Sequence, residues 1–429
     1  MGRGVDVLYG VGLAAASPWI ALGLLRTGKW RTDWKGRLGH AASAGLPLES
    51  ADADRPRILI HAVSVGEVNL IAPLLDRLAD EVPAPQLIVA TTTNTGFARA
   101  SARYAELASV VRYPLDFSGA VGRFLDAVRP DLAVSVELEV WPNFTQACQA
   151  RGIPMAVVNG RLSPRSFRGY RRFNKVLRPM FGRLSAVGAQ DEAYAERFRA
   201  MGAPVDWVTV LGNLKWDAVR LDDPDLPGKA QALAQELGLD RDRPTVVAGS
   251  TGPGEEAQLL SGLPDGLQLV LAPRKPERFE EVAQAAAPWG PARLSRCRAD
   301  ARPSTPTRVF VVDTIGDLAS AYALADVALV GRSWNGMYGS NPVEPLAAGA
   351  APVIGPDHAD FATDVQTLQS AGGIEVAPDP WPAADALLAD RDRREAMVDA
   401  GRREIQQRQG AANRYADLLM SLLPSNELA

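Results

Sequence analysis

Two segments place glutamates where short apolar stretches end, and their carboxylates could serve acid–base or binding chemistry. Residues 61–67 read HAVSVGE, with Ser64 and Gly66 ahead of Glu67. If a strand turns into a helix here, backbone N–H groups face a ligand, and the helix dipole favours a carboxylate at the helix start. Glu67 is therefore a candidate site residue. The competing hypothesis is that it only caps the helix.

The second segment, ELEVWPN at residues 137–143, carries Glu137 and Glu139. In an extended strand these two side chains point to the same face. Two carboxylates at the end of a buried strand are costly unless they are paired, so the pattern favours a role in a cleft. The alternative is that one of them pairs with a nearby arginine as part of the scaffold.

Three segments in the second half carry residues suited to a nucleotide and a sugar. Residues 249–256, GSTGPGEE, can cradle a phosphate, although they lack the Gly-Lys-Ser/Thr ending of a Walker loop. Residues 272–279, APRKPERF, put basic side chains after an apolar run, and residues 341–345, NPVEP, combine an amide with a carboxylate. All three lie at predicted strand ends, as a nucleotide-sugar site requires.

A basic stretch between Arg151 and Arg183 contains nine cationic residues and no acidic one. Four aromatic residues are interleaved with them. This pattern favours a surface for anionic lipid headgroups or sugar phosphates, with nucleic acid as the alternative. The basic residues are Arg151, Arg161, Arg165, Arg168, Arg171, Arg172, Lys175, Arg178 and Arg183.

Short apolar runs alternate along the sequence with amphipathic segments, and the candidate segments lie where the apolar runs end. Strands and helices that alternate in this way predict parallel sheets covered by helices on both faces. Helices are predicted at 67–78, 119–128 and 192–201, and a linker at the polar, proline-bearing residues 222–228. The alternation restarts after the linker, so we expect two doubly wound domains with a site in the cleft between them. Predicted strands are 58–62, 86–91, 132–136, 155–159, 186–189 and 208–211, then 245–248, 268–271, 309–312, 327–330 and 352–354.

The composition is that of a globular protein. The 429 residues include 46 Lys+Arg and 50 Asp+Glu, a net charge of −4 that argues against a dedicated nucleic-acid binder. The cysteines Cys148 and Cys297 lie far apart, so neither a zinc cluster nor a disulfide framework is expected, and the pattern is typical of a reducing compartment.

The N-terminus departs from this average. Residues 7–25 are 19 consecutive residues without a charge, enough for a helix of roughly 29 Å, close to the thickness of a bilayer core. The basic segment RTGKWRTDWKGR follows and favours a cytoplasmic location for the rest of the chain. We expect a membrane anchor that spans the bilayer or lies on it. A buried core helix is the alternative, and the charge order disfavours a cleaved signal peptide.

Together these segments resemble one family, the 3-deoxy-D-manno-octulosonic acid (Kdo) transferases of lipopolysaccharide synthesis. The resemblance runs in order over nearly the whole chain. The matching motifs are HAVSVGE (61–67), TTTNTGF (91–97), YPLDF (113–117), ELEVWPN (137–143), NGRLSPRSFRGY (159–170), GNLKWD (212–217), STGPGEE (250–256), APRKPERF (272–279), DTIGDL (313–318) and NPVEP (341–345).

The resemblance implies a GT-B glycosyltransferase fold of two doubly wound Rossmann-like domains with an N-terminal membrane-anchor helix. It implies transfer from a CMP-Kdo donor to a lipid A precursor (lipid IVA), with inversion and with no metal or other cofactor. Glu67 matches the general base, and Glu137 and Lys215 match residues that assist the transition state. The CMP-binding positions that match are Pro273, Arg274, Ile315, Gly316, Asp317, Asn341, Pro342, Val343 and Glu344.

The expected organisation is a membrane-associated segment at 1–50, an acceptor-binding domain at 51–220 and a CMP-sugar-binding domain at 221–429. The last helix belongs either to the CMP-sugar-binding domain or packs back on the N-terminal domain. The expected location is the inner membrane, with the catalytic domains facing the cytoplasm and no nucleic-acid partner.

Several positions depart from the family pattern, and they cluster on the donor side. Residues 252–254 are Gly-Pro-Gly instead of His-Glu-Gly, Lys275 replaces a histidine, residues 338–340 replace Gly-Gly-His, and Asp317 replaces a glutamate. These departures leave open a transferase for a different nucleotide-activated acid sugar. A nucleotide-sugar epimerase and a membrane-tethered binding protein without catalysis are two further functions that compete with Kdo transfer.

Overall fold

In the computed structural model of the chain, residues 4–7, 9, 33–42, 44–48, 55–299 and 306–423 are described. The described residues form the strands β1 (Ala44–Gly45), β2 (Arg57–His61), β3 (Gln86–Thr91), β4 (Ala108–Arg112), β5 (Leu132–Val136), β6 (Met155–Gly160), β7 (Ala186–Ala189), β8 (Val208–Val210), β9 (Thr245–Thr251), β10 (Gln268–Pro273), β11 (Ala292–Arg293), β12 (Val309–Val311), β13 (Val327–Val330), β14 (Ala351–Ile354) and β15 (Glu375–Val376).

Helices connect most of these strands. They are α1 (Trp34–Arg37), α2 (Val65–Leu70), α3 (Ala72–Ala79), α4 (Asn94–Arg103), α5 (Ser118–Val128), α6 (Pro142–Ala150), α7 (Pro164–Arg172), α8 (Asn174–Phe181), α9 (Glu192–Met201), α10 (Leu226–Leu237), α11 (Glu255–Ser261), α12 (Phe279–Ala286), α13 (Leu294–Cys297), α14 (Leu318–Tyr322), α15 (Val343–Ala347), α16 (Ala362–Ser370), α17 (Pro380–Ala389), α18 (Arg391–Arg408) and α19 (Ala411–Ser421). Short 3₁₀ helices span Val205–Trp207, Pro276–Arg278, Ala287–Trp289 and Ala359–Phe361.

The chain divides into two compact units. The N-terminal unit comprises Met1–Ala218 and Gln409–Ala429, and the C-terminal unit comprises Val219–Arg408. The last helix, α19, belongs to the N-terminal unit, where the Tyr415 ring packs so closely against Gly188 that an added Cβ would overlap it. The Tyr415 hydroxyl donates to the carbonyl oxygens of Gly188 and Gly212, and Asp217 accepts N–H groups at the start of α19.

The sheet of the N-terminal unit has the order β1-β4-β3-β2-β5-β6-β7-β8. All neighbouring strands are parallel except the edge pair of β1 and β4. Apolar side chains alternate along the buried strands, so Ile58 and Ile60 belong to one hydrophobic cluster and Leu59 to another on the opposite face. The predicted doubly wound sheet is thus present.

The sheet of the C-terminal unit is wholly parallel, in the order β11-β12-β10-β9-β13-β14-β15. It too has a hydrophobic cluster on each face. The predicted linker at 222–228 is partly wrong, because α10 already begins at Leu226 with Pro227 in its first turn, where the missing N–H of proline costs nothing.

The predicted helix at 67–78 is also wrong in its continuity. The structure has two helices, α2 and α3, with Ile71 between them. Pro73 lies in the first turn of α3 and has no N–H to donate to the carbonyl of Asn69, so a continuous helix would lose a backbone hydrogen bond there.

The predicted membrane anchor lies almost wholly outside the described residues. In the parts of the chain that the structure does describe, none of the helices is long and apolar enough to cross a membrane.

Candidate functional site

In the N-terminal unit the strand order reverses between β2 and β5, which lie side by side. Connections leave these two strands in opposite directions, and this opens a crevice beyond their carboxyl ends, where doubly wound sheets bind ligands. Glu67 follows β2 and Glu137 follows β5. The topology therefore brings two sequence-predicted residues, 70 positions apart in the chain, to one edge of the sheet.

Glu67 lies in the first turn of α2, which Ser64 caps. Its carboxylate accepts the Val63 N–H at 2.8 Å and the Ser64 hydroxyl at 3.1 Å. The helix-capping hypothesis therefore describes a real interaction. A capping role does not exclude a catalytic one, because the same hydrogen bonds fix the Glu67 carboxylate at the start of the helix, beside the crevice.

The ionisation of Glu67 is unusual. Its pKa is raised to about 7, chiefly by burial. The negative charges of Glu137 and Glu139 contribute to this rise, and the hydrogen bonds from the Val63 N–H and the Ser64 hydroxyl oppose it. A carboxyl with a pKa close to the operating pH is partly ionised and can both accept and return a proton, which is the property that a general base needs.

Glu137 lies just outside a strand, so it does not share an extended backbone with Glu139 as the sequence predicts. β5 ends at Val136, and Glu137 has a left-handed backbone with φ of 59° in the following turn. The prediction that Glu137 and Glu139 share one strand face is therefore wrong. Burial raises the pKa of Glu137, with Arg161 opposing and Glu139 reinforcing this shift. The scaffold alternative is thus present in part through Arg161.

Lys215 lies in a turn tied to the same edge of the sheet. Asn159, near the end of β6, accepts the Leu214 N–H at 3.0 Å through its side-chain oxygen, and Asn213 accepts the Lys215 N–H. Since β6 is the neighbour of β5, this turn places the half-buried Lys215 at the edge that carries Glu137.

An apolar pocket of about 580 Å³ lies beside Glu67, because Val63, whose N–H donates to the Glu67 carboxylate, is part of its lining. Of the lining residues, the sequence predicts a role in a cleft only for Glu139. Tyr113 is one of its lining residues, and the Tyr113 ring stacks on the buried His61 with 3.5 Å between centroids. Four of the matching motifs contribute to the lining: HAVSVGE through Val63, TTTNTGF through Thr92, YPLDF through residues 113–117, and ELEVWPN through Glu139 and Trp141. The lining residues are Tyr9, Arg37, Val63, Thr92, Tyr113, Pro114, Leu115, Asp116, Phe117, Glu139 and Trp141.

In the C-terminal unit the strand order reverses between β9 and β13. The loop after β9 spans residues 252–254 and the loop after β13 spans residues 331–342. Buried Glu255 joins these loops. Its carboxylate accepts four backbone N–H groups at 2.6–3.1 Å, from Gly252, Arg332, Ser333 and Trp334.

Arg274 follows β10, and its backbone N–H donates to the Thr251 carbonyl. Partial burial and the positive charge of Arg332 lower the pKa of Arg274, while Glu344 and Asp360 oppose this shift. The charges of two arginines, one after β10 and one after β13, are thus close enough to act on each other, an arrangement suited to an anion. Arg332 was missed by sequence reasoning, since only the fold brings it beside Arg274.

Arg332 has a left-handed backbone with φ of 62°, which is uncommon for a residue with a side chain. Its guanidinium donates to the carbonyl oxygens of Gly339 and Met337. The side chain therefore holds the loop that leads to Asn341.

The remaining predicted donor residues occupy two further turns. Ile315 is exposed, and Gly316 has φ of 101°, so the backbone at 315–316 is accessible. Asp317 instead pairs through both oxygens with Arg298 and accepts the Thr314 hydroxyl. Asn341 accepts the Val343 N–H and donates to Glu344, which orders the turn through Pro342 into α15.

Comparison with solved structures identifies the fold class. Over 85% of the chain the fold matches the UDP-GlcNAc 2-epimerase of Neisseria meningitidis bound to UDP-GlcNAc, with a TM-score of 0.57 and 13% identity, and all of that chain is covered. HepE of Anabaena in complex with UDP matches 86% of the chain and is itself fully covered, with a TM-score of 0.54 and 15% identity. Two parallel Rossmann-like sheets of this kind define the GT-B fold.

Sequence comparison identifies the family. The family model described as 3-Deoxy-D-manno-octulosonic-acid transferase (kdotransferase) matches residues 32–218. The 3-deoxy-D-manno-octulosonic acid transferase of Haemophilus influenzae is 32% identical over 94% of the chain and 95% of its own length. That of Bordetella pertussis is 33% identical over 98% of the chain and 99% of its own length. The chain belongs to the Kdo transferase family of glycosyltransferases.

Proposed function

We propose that this chain transfers Kdo from CMP-Kdo to a lipid A precursor in lipopolysaccharide core biosynthesis, with inversion and without a metal. The observation that carries the proposal is Glu67, a carboxylate with a pKa near 7 fixed at the switch point of the N-terminal sheet. Family membership supports the transferred sugar, and the donor and acceptor follow from the resemblance of the motifs.

The proposed step is a single displacement. The Glu67 carboxylate takes the proton of an acceptor hydroxyl while that oxygen bonds to the anomeric carbon of Kdo. The bond from this carbon to the phosphate oxygen breaks, and CMP leaves with the electron pair. Because attack and departure occur on opposite faces of the sugar, the configuration inverts. Glu137 and Lys215 assist at the same sheet edge, where charge develops on the sugar and the phosphate.

The donor is proposed to bind the C-terminal unit. Arg274 and Arg332 supply positive charge for the two anionic groups of CMP-Kdo, the phosphate and the sugar carboxylate. Pro273, the exposed turn at 315–316 and the segment from Asn341 to Glu344 hold the nucleotide. For Asp317 we propose a positioning role, since both of its oxygens are engaged by Arg298.

The acceptor side is proposed to face the inner membrane from the cytoplasm. α7 has no buried residue, and six of the predicted cations lie exposed on α7 and α8 beside Phe173 and Val176, which are 65% and 70% exposed. This basic surface consists of Arg165, Arg168, Arg171, Arg172, Lys175 and Arg178. Arg151 and Arg183 belong to the scaffold instead, since they bond to Asp126 and Gln149.

The test is incubation of the full-length protein with CMP-Kdo and a lipid A precursor, followed by mass analysis of the lipid. We expect a mass increase of one or more Kdo units, retained when EDTA is present. CMP-N-acetylneuraminate replaces the donor in one control, and UDP-GlcNAc in the other. Transfer only from CMP-N-acetylneuraminate would replace this proposal by transfer of a different acid sugar, and conversion of UDP-GlcNAc would replace it by epimerisation.

A further inference from the structure

We propose that the apolar pocket lined by Tyr113, Leu115, Phe117 and Trp141 binds an acyl chain of the lipid acceptor. The proposal rests on the proposed function, because it names the part of that acceptor which the N-terminal unit recognises. All residues of the pocket belong to this unit.

The chemistry of the walls favours hydrocarbon over a sugar. Most polar side chains of the lining are already engaged within the protein, and the Tyr113 hydroxyl, which has no hydrogen-bond partner among the described residues, is buried away from solvent. Asp116 accepts the Tyr9 hydroxyl and the backbone N–H groups of Asn143 and Phe144. Arg37 donates to the Thr92 carbonyl, and the Trp141 indole N–H donates to Glu139. Aromatic and aliphatic surface is therefore what the pocket offers to a ligand.

The location links the pocket to the reacting hydroxyl. Val63 lines the pocket, and its backbone N–H donates to the Glu67 carboxylate at 2.8 Å. Glu139, which lines the pocket as well, raises the pKa of Glu67 through its charge. A molecule that presents a hydroxyl to Glu67 thus has an apolar pocket directly beside its attachment point, and its volume of about 580 Å³ lies in the usual range for ligand pockets.

The path of the chain supports the same occupant. Tyr9 and Arg37 both line the pocket, and the residues between them contain most of the charge-free segment 7–25. Asp6 fixes this end of the chain by accepting bonds from Ser118 and Asn143. Residues from the start of the charge-free segment and from the basic segment after it therefore meet at the pocket, so an acyl chain bound there lies next to the part of the chain that we expect to contact lipid.

The test fills the pocket with a side chain. Leu115 is half-buried in the wall, and its backbone N–H, which donates to Arg37, is unaffected by substitution. Leu115→Trp and the milder Leu115→Phe are compared with Val205→Trp, which adds the same indole at an exposed position preceding β8. The acceptors are the lipid A precursor and the same phosphorylated disaccharide with its acyl chains removed.

Burial of one methylene group raises the affinity about fourfold. A pocket that no longer has room for several methylene groups should therefore bind the acyl chain much more weakly. We expect Leu115→Trp to raise KM for the acylated acceptor by on the order of tenfold or more, while KM for the deacylated acceptor stays as in the wild type. Val205→Trp should change neither. An equal change of KM for both acceptors, or no change for the acylated one, overturns the proposal.

A binding measurement separates this proposal from the proposed function. Calorimetry with dodecyl maltoside below its micelle concentration, against hexyl maltoside, needs no transfer reaction. Tighter binding of the longer chain, lost in Leu115→Phe and Leu115→Trp and kept in Val205→Trp, supports the pocket even if no Kdo is transferred. Identical dodecyl maltoside binding in all four proteins contradicts it.

Discussion

At the scale of single residues, the sequence located Glu67 correctly at the head of a helix but gave no sign of its pKa. That property arises from burial and from Glu137 and Glu139, which lie some seventy residues away along the chain and reach Glu67 only because β5 pairs with β2. Arg332 illustrates the same limit. Its proximity to Arg274 and its left-handed backbone follow from the second sheet, and no local pattern indicates either of them.

Arg332 provides a prediction for donor binding. Arg332→Gly removes the cation and its hydrogen bonds to the loop that leads to Asn341, while the backbone, with φ of 62°, favours glycine, so the protein should stay folded. Losing a charge-assisted contact should raise KM for CMP-Kdo by on the order of 10- to 100-fold, with KM for the lipid acceptor nearly unchanged. Steady-state kinetics with each substrate varied in turn measures both.

The matched control is Arg243→Gln, which removes an exposed positive charge from the same unit. It should leave KM for CMP-Kdo unaltered. A donor KM that is the same in Arg332→Gly as in the wild type would exclude Arg332 from the donor site.

At the scale of elements, most of the buried strands were predictable, whereas β4 and the two-residue edge strands were not. β3, β5, β7 and β13 have the predicted bounds, because mostly apolar stretches of four to six residues mark strands buried on both faces. β9, the longest of the described strands, runs three residues beyond its predicted end at Ala248. The predicted strands did not include β4 or the two-residue edge strands β1, β11 and β15. In β4 only a short apolar stretch lies between a serine and an arginine. A strand of two residues is too short to show an alternating pattern, so β1, β11 and β15 could not be recognised.

Glu255 connects two elements, the loops after β9 and β13, and its replacement should weaken both stability and donor binding. Glu255→Gln replaces one acceptor oxygen by an amide that cannot accept the N–H groups facing it. We expect the free energy of unfolding to fall by about 1.5–3 kcal/mol and KM for CMP-Kdo to rise. Denaturant unfolding and donor kinetics measure these effects.

Glu280→Gln is the control, because Glu280 is an exposed partner of Arg293 and such surface pairs contribute at most about 1 kcal/mol. If Glu255→Gln is as stable as Glu280→Gln, the buried carboxylate does not hold the two loops.

The basic surface of α7 and α8 should serve the anionic acceptor. Replacing Arg168, Arg171 and Arg172 with glutamine should raise KM for the lipid acceptor, more strongly at low salt, because exposed charges attract anionic lipid over about a Debye length. KM for CMP-Kdo should stay nearly constant.

A variant with the same loss of three charges elsewhere, Lys229→Gln with Arg243→Gln and Arg391→Gln, is the control for net charge. An equal rise of KM for donor and acceptor in the α7 variant would mean that these arginines are structural.

At the scale of the whole molecule, we expect membrane attachment through the charge-free segment. Deletion of residues 10–25 is the suitable change, since it keeps Asp6 and Tyr9, which hold the N-terminus to Ser118 and Asp116. The full-length protein should sediment with membranes, and the shortened protein should move to the supernatant as salt is raised. Full-length protein found entirely in the supernatant would contradict an anchor.

The central claim is that Glu67 accepts the proton of the acceptor hydroxyl, and the pH dependence of kcat/KM tests it most directly. Protonated Glu67 cannot act as a base, so wild-type kcat/KM should rise about tenfold per pH unit until it levels off near pH 7, where burial sets the pKa of Glu67. Glu67→Gln keeps a capping side chain and should melt close to the wild type. Its kcat should fall on the order of 10²–10⁴-fold, with no inflection near pH 7. Near-wild-type turnover in Glu67→Gln, or an inflection that persists in it, would contradict the claim and point to Glu137 instead.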